Sequence, residues 1–209
     1  MMLKIIYGLI FFVLVSSQLG AQTNFYPKRS AKELVNEYGS LVYNRSCASC
    51  HDNARFYPIL HGQSVEYLVT QLEMYLTMER IDLTMNHISN STVAKQETIR
   101  FLSEYLSDLD PCRLNNQNAE NDLPEIGFVA DIEAGQKIYE NNCVNCHFAK
   151  GNSSIPIIKG HSAAYLLKTL NDYKLGARES EDMIKVLENL TQQNFKDVSA
   201  YLSIQYECR

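Results

Sequence analysis

Two copies of the pattern Cys-x-x-Cys-His, formed by Cys47, Cys50 and His51 and by Cys143, Cys146 and His147, lie 96 positions apart in a chain of 209 residues. Two thiols at this spacing can add to the two vinyl groups of haem as thioethers, and an imidazole directly after them is placed to become an axial ligand of the iron. Two motifs therefore imply two covalently held haem c groups. A zinc ribbon would bring its second cysteine pair about 15–20 residues after the first, whereas here the gap is far longer and each pair carries its own histidine. A thioredoxin-like thiol pair would sit in a βαβ unit, yet both motifs have helical flanks. The chemistry is that of electrons.

The elements that must position these groups read as helices. Leu34, Val35, Tyr38, Leu41 and Val42 follow amphipathic spacing, and residues 132–139 form a shorter equivalent. Further helices are expected over 64–78, 94–106, 162–175 and 191–203, and no segment offers strand alternation, so the fold class is all-α. Gly39 and Gly135 fall inside their helices, where glycine costs about 1 kcal/mol relative to alanine. Their recurrence four residues before a tyrosine predicts that each helix crosses closely over the last helix of its half.

The chain is an internal duplication. Gly39 and Tyr43 recur as Gly135 and Tyr139 at the offset of the motifs. The offset rises to 98 for Pro58, Gly62, Tyr67, Leu68, Tyr75, Arg80 and Met85, which match Pro156, Gly160, Tyr165, Leu166, Tyr173, Arg178 and Met183. It returns to 96 for Tyr105, Leu106, Ser107, Cys112 and Arg113, which match Tyr201, Leu202, Ser203, Cys208 and Arg209. The expected organisation is a signal peptide over 1–21, a first haem domain over 22–113, a linker over 114–128 and a second haem domain over 129–209. The linker is rich in Asn and holds Pro124 and Gly127. Each half is near the lower size limit of an independent domain, and a covalent haem would supply the apolar core that so short a chain lacks.

The leader has Lys4, an apolar run over 5–15 and small or polar residues around Ala21. That is the layout of a secretory signal peptide, with an uncleaved anchor as the alternative, so the expected location is periplasmic. With 24 acidic and 19 basic side chains the formal charge is −5. Such a balance excludes nucleic acid and favours redox proteins with complementary, basic docking patches. No second apolar stretch provides a transmembrane segment once the leader is cleaved, which leaves only peripheral membrane association open.

A Gly-x-x-x-aromatic helix leading into Cys-x-x-Cys-His, a proline soon after the haem histidine, a methionine further on and a terminal amphipathic helix resemble a class I cytochrome c domain. Two such domains in tandem behind a leader resemble the dihaem cytochrome c4 family. The strings PILHGQSVEYLVTQLEMY and PIIKGHSAAYLLKTLNDY, each followed by an Arg and a Met, are similar to its domain signature. The resemblance implies a methionine as sixth ligand. The second half holds one methionine, Met183, so a symmetric pair of His/Met sites selects Met85 over Met74 and Met78, which read as helix packing. His87 is the rival to Met85.

The resemblance also implies that the carbonyls of Pro58 and Pro156 orient His51 and His147. Arg80 and Arg178 are either solvated helix-end charges or partners of haem propionates. His61 and His161 flank equivalent glycines on opposite sides and read as polar surface or haem-edge residues. Cys112 and Cys208 are left over by the haems, and the two-fold domain packing implied by the resemblance makes a disulfide between them the economical pairing in an exported protein. The function expected is outer-sphere electron transfer, from a quinol-oxidising complex or dehydrogenase toward a terminal oxidase or reductase, by a protein that is not an enzyme. A cytochrome subunit of a flavin- or quinoprotein dehydrogenase is the alternative, and a dihaem peroxidase or thiosulfate-oxidising enzyme is the third.

Overall fold

A computed structural model of the chain describes residues 29–52, 56–111, 129–148 and 154–205. The first half consists of α1 (Ala31–Ser46), α2 (Ala48–His51), α3 (Val65–Leu76), α4 (Leu83–Thr92) and α5 (Gln96–Asp108). The second consists of α6 (Ile132–Asn142), α7 (Ala163–Lys174), α8 (Glu181–Leu187) and α9 (Gln192–Ser203). There is no strand among the described residues, and no helix among them is long and apolar enough to cross a membrane. The leader, the linker at 114–128, Cys112 and Cys208 lie outside the described residues.

Side-chain caps set the helix starts. The Ser64 and Ser162 hydroxyls accept the amides of Tyr67 and Tyr165, the Asp131 carboxylate accepts that of Ala134, and Thr191 with Asn194 forms a reciprocal capping box. The halves repeat one packing scheme: α5 lies across α1 and α3, and α9 lies across α6 and α7. A β-carbon added at Gly39 would strike the Tyr105 side chain and come within 2.8 Å of the Phe101 carbonyl; one at Gly135 would strike the Asp197 carbonyl and come within 2.8 Å of Tyr201 Cβ. Both glycines therefore permit the first helix of their half to touch the last. Ile99, Leu102 and Leu106 of α5 pack with Tyr43 and Leu68, while Val198 and Leu202 of α9 pack with Tyr139 and Leu166.

Two helices escape prediction from periodicity, α4 and α8, and these carry Met85 and Met183. The segment LTMNHISNST has too few apolar positions for an amphipathic stripe, and α8 has only seven residues. Capping and tertiary ties hold them instead. Asp82 accepts the amides of Thr84 and Met85, and Ser180 accepts that of Met183. The buried Asn86 donates to the carbonyls of Tyr75 and Arg80 at 2.7 and 3.0 Å. In the second half Lys174 does the tying, donating to the carbonyls of Leu187 and Glu188. Met78 does not pack within a helix as expected: it follows α3 in the left-handed region (φ 63°), exposed, where the second half has Gly176 at φ 72°.

Candidate haem sites

Each motif continues the helix before it. The amide of Cys47 donates to Tyr43 O and that of Cys143 to Tyr139 O, both at 2.9 Å. His51 N then bonds Cys47 O at 3.0 Å and His147 N bonds Cys143 O at 2.9 Å, which winds both cysteines and the histidine into one turn. The four thiols are unpaired. Burial first, and the neighbouring thiol second, push Cys47 and Cys143 up to about 11. Redox-active Cys-x-x-Cys pairs instead have depressed thiol pKa values, so a thioredoxin-like role does not fit.

The histidines are fixed by the prolines. His51 Nδ1 lies 2.9 Å from Pro58 O and His147 Nδ1 lies 2.9 Å from Pro156 O. A carbonyl can only accept, so Nδ1 carries the proton and Nε2 is left to bind a metal. Burial lowers the pKa of both rings, which keeps them neutral and able to coordinate. Two thiols and one available imidazole nitrogen on a single turn fit a covalent haem in both halves. Met85 and Met183 are half-buried on α4 and α8. His87 is exposed, and two positions along a helix turn a side chain by roughly 200°, so it projects away from the side that carries Met85.

The surroundings of the two motifs differ. Tyr43 OH donates to the Asp52 carboxylate, and His61 Nε2 sits 3.1 Å from the same hydroxyl. Burial first, and then the Asp52 bond, raise the Tyr43 pKa far above that of a free phenol. In the second half Tyr139 OH donates to His147 O at 3.2 Å, and Lys159 lies over its ring. His61 and His161 are buried, with 6 % and 5 % exposure, which overturns the surface alternative of the expectation and not the haem-edge one. Tyr43→Phe is expected to destabilise the first half by roughly 1–2 kcal/mol, the cost of taking the hydroxyl away from the buried His61 imidazole, as a lower denaturation midpoint will show.

Between the halves, Arg178 is buried and donates to Gln71 Oε1 at 3.0 Å and toward Tyr67 OH at 3.4 Å. Arg80 donates to the same Gln71 oxygen at 2.5 Å. The two guanidiniums stack at 4.7 Å over Tyr75 and Tyr173, and neither has a carboxylate partner among the described residues. Arg178 is therefore no solvated charge. Gln63 and Gln71, which bond across the halves, and Asn86 and Lys174, which tie the methionine helices, carried no signal in the sequence, because none of the four is repeated in the other half.

The cytochrome c family model matches residues 132–204. Cytochrome c4 of Pseudomonas aeruginosa is 39 % identical over 66 residues, 30 % of this chain and 33 % of that protein. The alignments with the first curated cytochrome c4 relatives span about a third to two fifths of their length. Among solved structures, cytochrome c4 of Pseudomonas stutzeri superposes with a TM-score of 0.61 at 21 % identity, covering 82 % of this chain and 98 % of that one. The chain is similar in sequence to cytochrome c4 over these stretches, and its second half matches the cytochrome c family. Its cofactors are covalently bound haem c groups on class I cytochrome c folds. A thiosulfate dehydrogenase of Marichromatium purpuratum also superposes, with a TM-score of 0.66 at 22 % identity, covering 81 % of this chain and 40 % of that one. At that identity the likeness is one of fold.

Proposed function

We propose that this cytochrome c4 homologue is an exported, periplasmic electron carrier, its irons ligated by His51 with Met85 and by His147 with Met183, its haems bonded to Cys47 with Cys50 and to Cys143 with Cys146. The observation that carries the proposal is the duplicated His–Pro hydrogen bond, which leaves the Nε2 atom of both imidazoles able to coordinate. When bound, each haem supplies a one-electron couple, and methionine ligation raises its potential relative to two imidazoles. The chain's own part is to hold the ligands still. The proline carbonyls fix the imidazole planes, and the Asp82 and Ser180 caps start the helices that bear the methionines. Glu179, Glu181 and Asp182 are exposed next to Met183 and favour a redox partner with a basic docking patch.

The second reading is a cytochrome subunit whose partner, a flavin- or quinoprotein dehydrogenase, holds the substrate site. Met85 and Met183 would fill the sixth position on both irons, which favours the carrier, since an enzyme acting at iron needs an open position. The purified, partner-free protein is expected to exchange electrons rapidly with small redox proteins, to bind little carbon monoxide when reduced, and to show negligible turnover of peroxide or thiosulfate. Substantial turnover of either substrate by the isolated chain would replace the carrier reading with the enzymatic one.

A further inference from the structure

Gln63 belongs to the first half, in the loop before α3, yet its buried amide is spent on the second half. Its Nε2 donates to Ile157 O at 2.8 Å, and its Oε1 accepts the Ile157 amide at 3.0 Å. That amide N–H shares one peptide unit with the Pro156 carbonyl, the group that accepts from His147 Nδ1 at 2.9 Å. The order is therefore Gln63 Oε1, the Pro156–Ile157 peptide, and the His147 ring.

We propose that Gln63 is a positioning residue for the haem of the other half, acting on His147 through the Pro156–Ile157 peptide. The proposal rests on His147 being an axial ligand. Two effects follow from the geometry. The peptide is planar, so holding its N–H and the neighbouring carbonyl fixes the direction of the Pro156 carbonyl and with it the plane of the imidazole. An acceptor on the N–H also polarises the carbonyl at the far end of the same unit, and such chains strengthen by about 10–30 % per bond. A stronger pull on the Nδ1 proton makes Nε2 the better donor, which favours the oxidised iron. The influence is directional. His161 holds the position equivalent to Gln63, buried with the backbone of Ile59, Ile158 and Lys159 near its ring, but among the described residues it accepts no bond from the Ile59 amide.

The test uses the holo protein and the variants Gln63→Met, which keeps the volume and loses both bonds, and Gln63→Glu, which keeps an acceptor for the Ile157 amide. Proton NMR of the oxidised protein reads the axial-histidine and haem-methyl resonances, and a redox titration reads the two haems separately. Gln63→Met is expected to move the resonances of the second haem, raise its potential and shift the electron distribution between the haems by about twofold, a weak-bond effect, while Gln63→Glu returns the second haem toward wild type. The first haem, in the half that carries the mutation, should stay unmoved. A change confined to the first haem, equal changes in both or no change would overturn the proposal. Should Gln63→Met fail to retain its haems, Gln63→Asn, too short to reach Ile157, carries the same test. A wild-type second iron without an axial-histidine signature would instead overturn the ligand assignment on which the proposal rests.

Discussion

Replacing Met183 with alanine is expected to remove the weak near-infrared sulfur-to-iron band of one haem, leaving the band of the other. The second half contains no other methionine, so no neighbour can restore the sulfur. The variant iron should fall in potential, because the methionine that raises it is gone, and it should bind carbon monoxide when reduced, as the wild-type irons should not. Met85→Ala is expected to do the same at the first haem, and the two variants together should leave no band. Retention of the full band in Met183→Ala would show that the iron takes its sixth ligand elsewhere. The His87 alternative is tested in parallel: His87→Ala should leave the spectrum of Met85-ligated iron unchanged, in keeping with its place on the exposed face of α4.

The division between what the residues announced and what they hid follows from the range of the forces involved. Haem attachment was legible because the chemistry demands fixed residue types within one turn, and the crossing of α1 with α5 was legible because Gly39 must pass the Phe101 carbonyl and the duplication states the requirement twice as Gly135. The methionine helices were not legible from periodicity. Their stability comes from caps at Asp82 and Ser180 and from ties by Asn86 and Lys174, and a short polar helix held by its ends carries no apolar stripe. A cap residue three positions before each methionine was the signal available. The burial of His61 and Arg178 was hidden for a different reason: each gains a partner from a residue distant in the chain, His61 from Tyr43 and Arg178 from Gln71 across the two halves.

Gly135→Ala should be among the most damaging single substitutions outside the haem ligands. The added methyl would meet the main-chain carbonyl of Asp197 and the Cβ of Tyr201, neither of which is the free end of a flexible side chain, so α6 and α9 must separate to admit it. Overpacking of this kind costs roughly 1–3 kcal/mol and occasionally more, against a gain of about 1 kcal/mol from the better helix propensity of alanine. The contact is with rigid backbone, which places the net loss at about 2 kcal/mol, or roughly 8–16 °C in the midpoint of a domain this small. The chemistry should suffer with the fold. The last turn of α6 delivers Cys143 through the bond from its amide to Tyr139 O, so a displaced α6 moves the attachment turn, and the second haem should be incorporated in lower yield than the first. Gly39→Ala should reverse that order, because its methyl meets Tyr105 and the Phe101 carbonyl in the first half. Gly176→Ala is the control for backbone strain without crowding: nothing lies within 4 Å of its Cβ position and only the φ of +72° opposes it, a cost of about 1 kcal/mol. Thermal denaturation of the three variants, with haem content assigned to each half by mass spectrometry of peptides, separates these cases. A wild-type midpoint for Gly135→Ala would mean that α6 and α9 do not cross at contact distance in the folded protein.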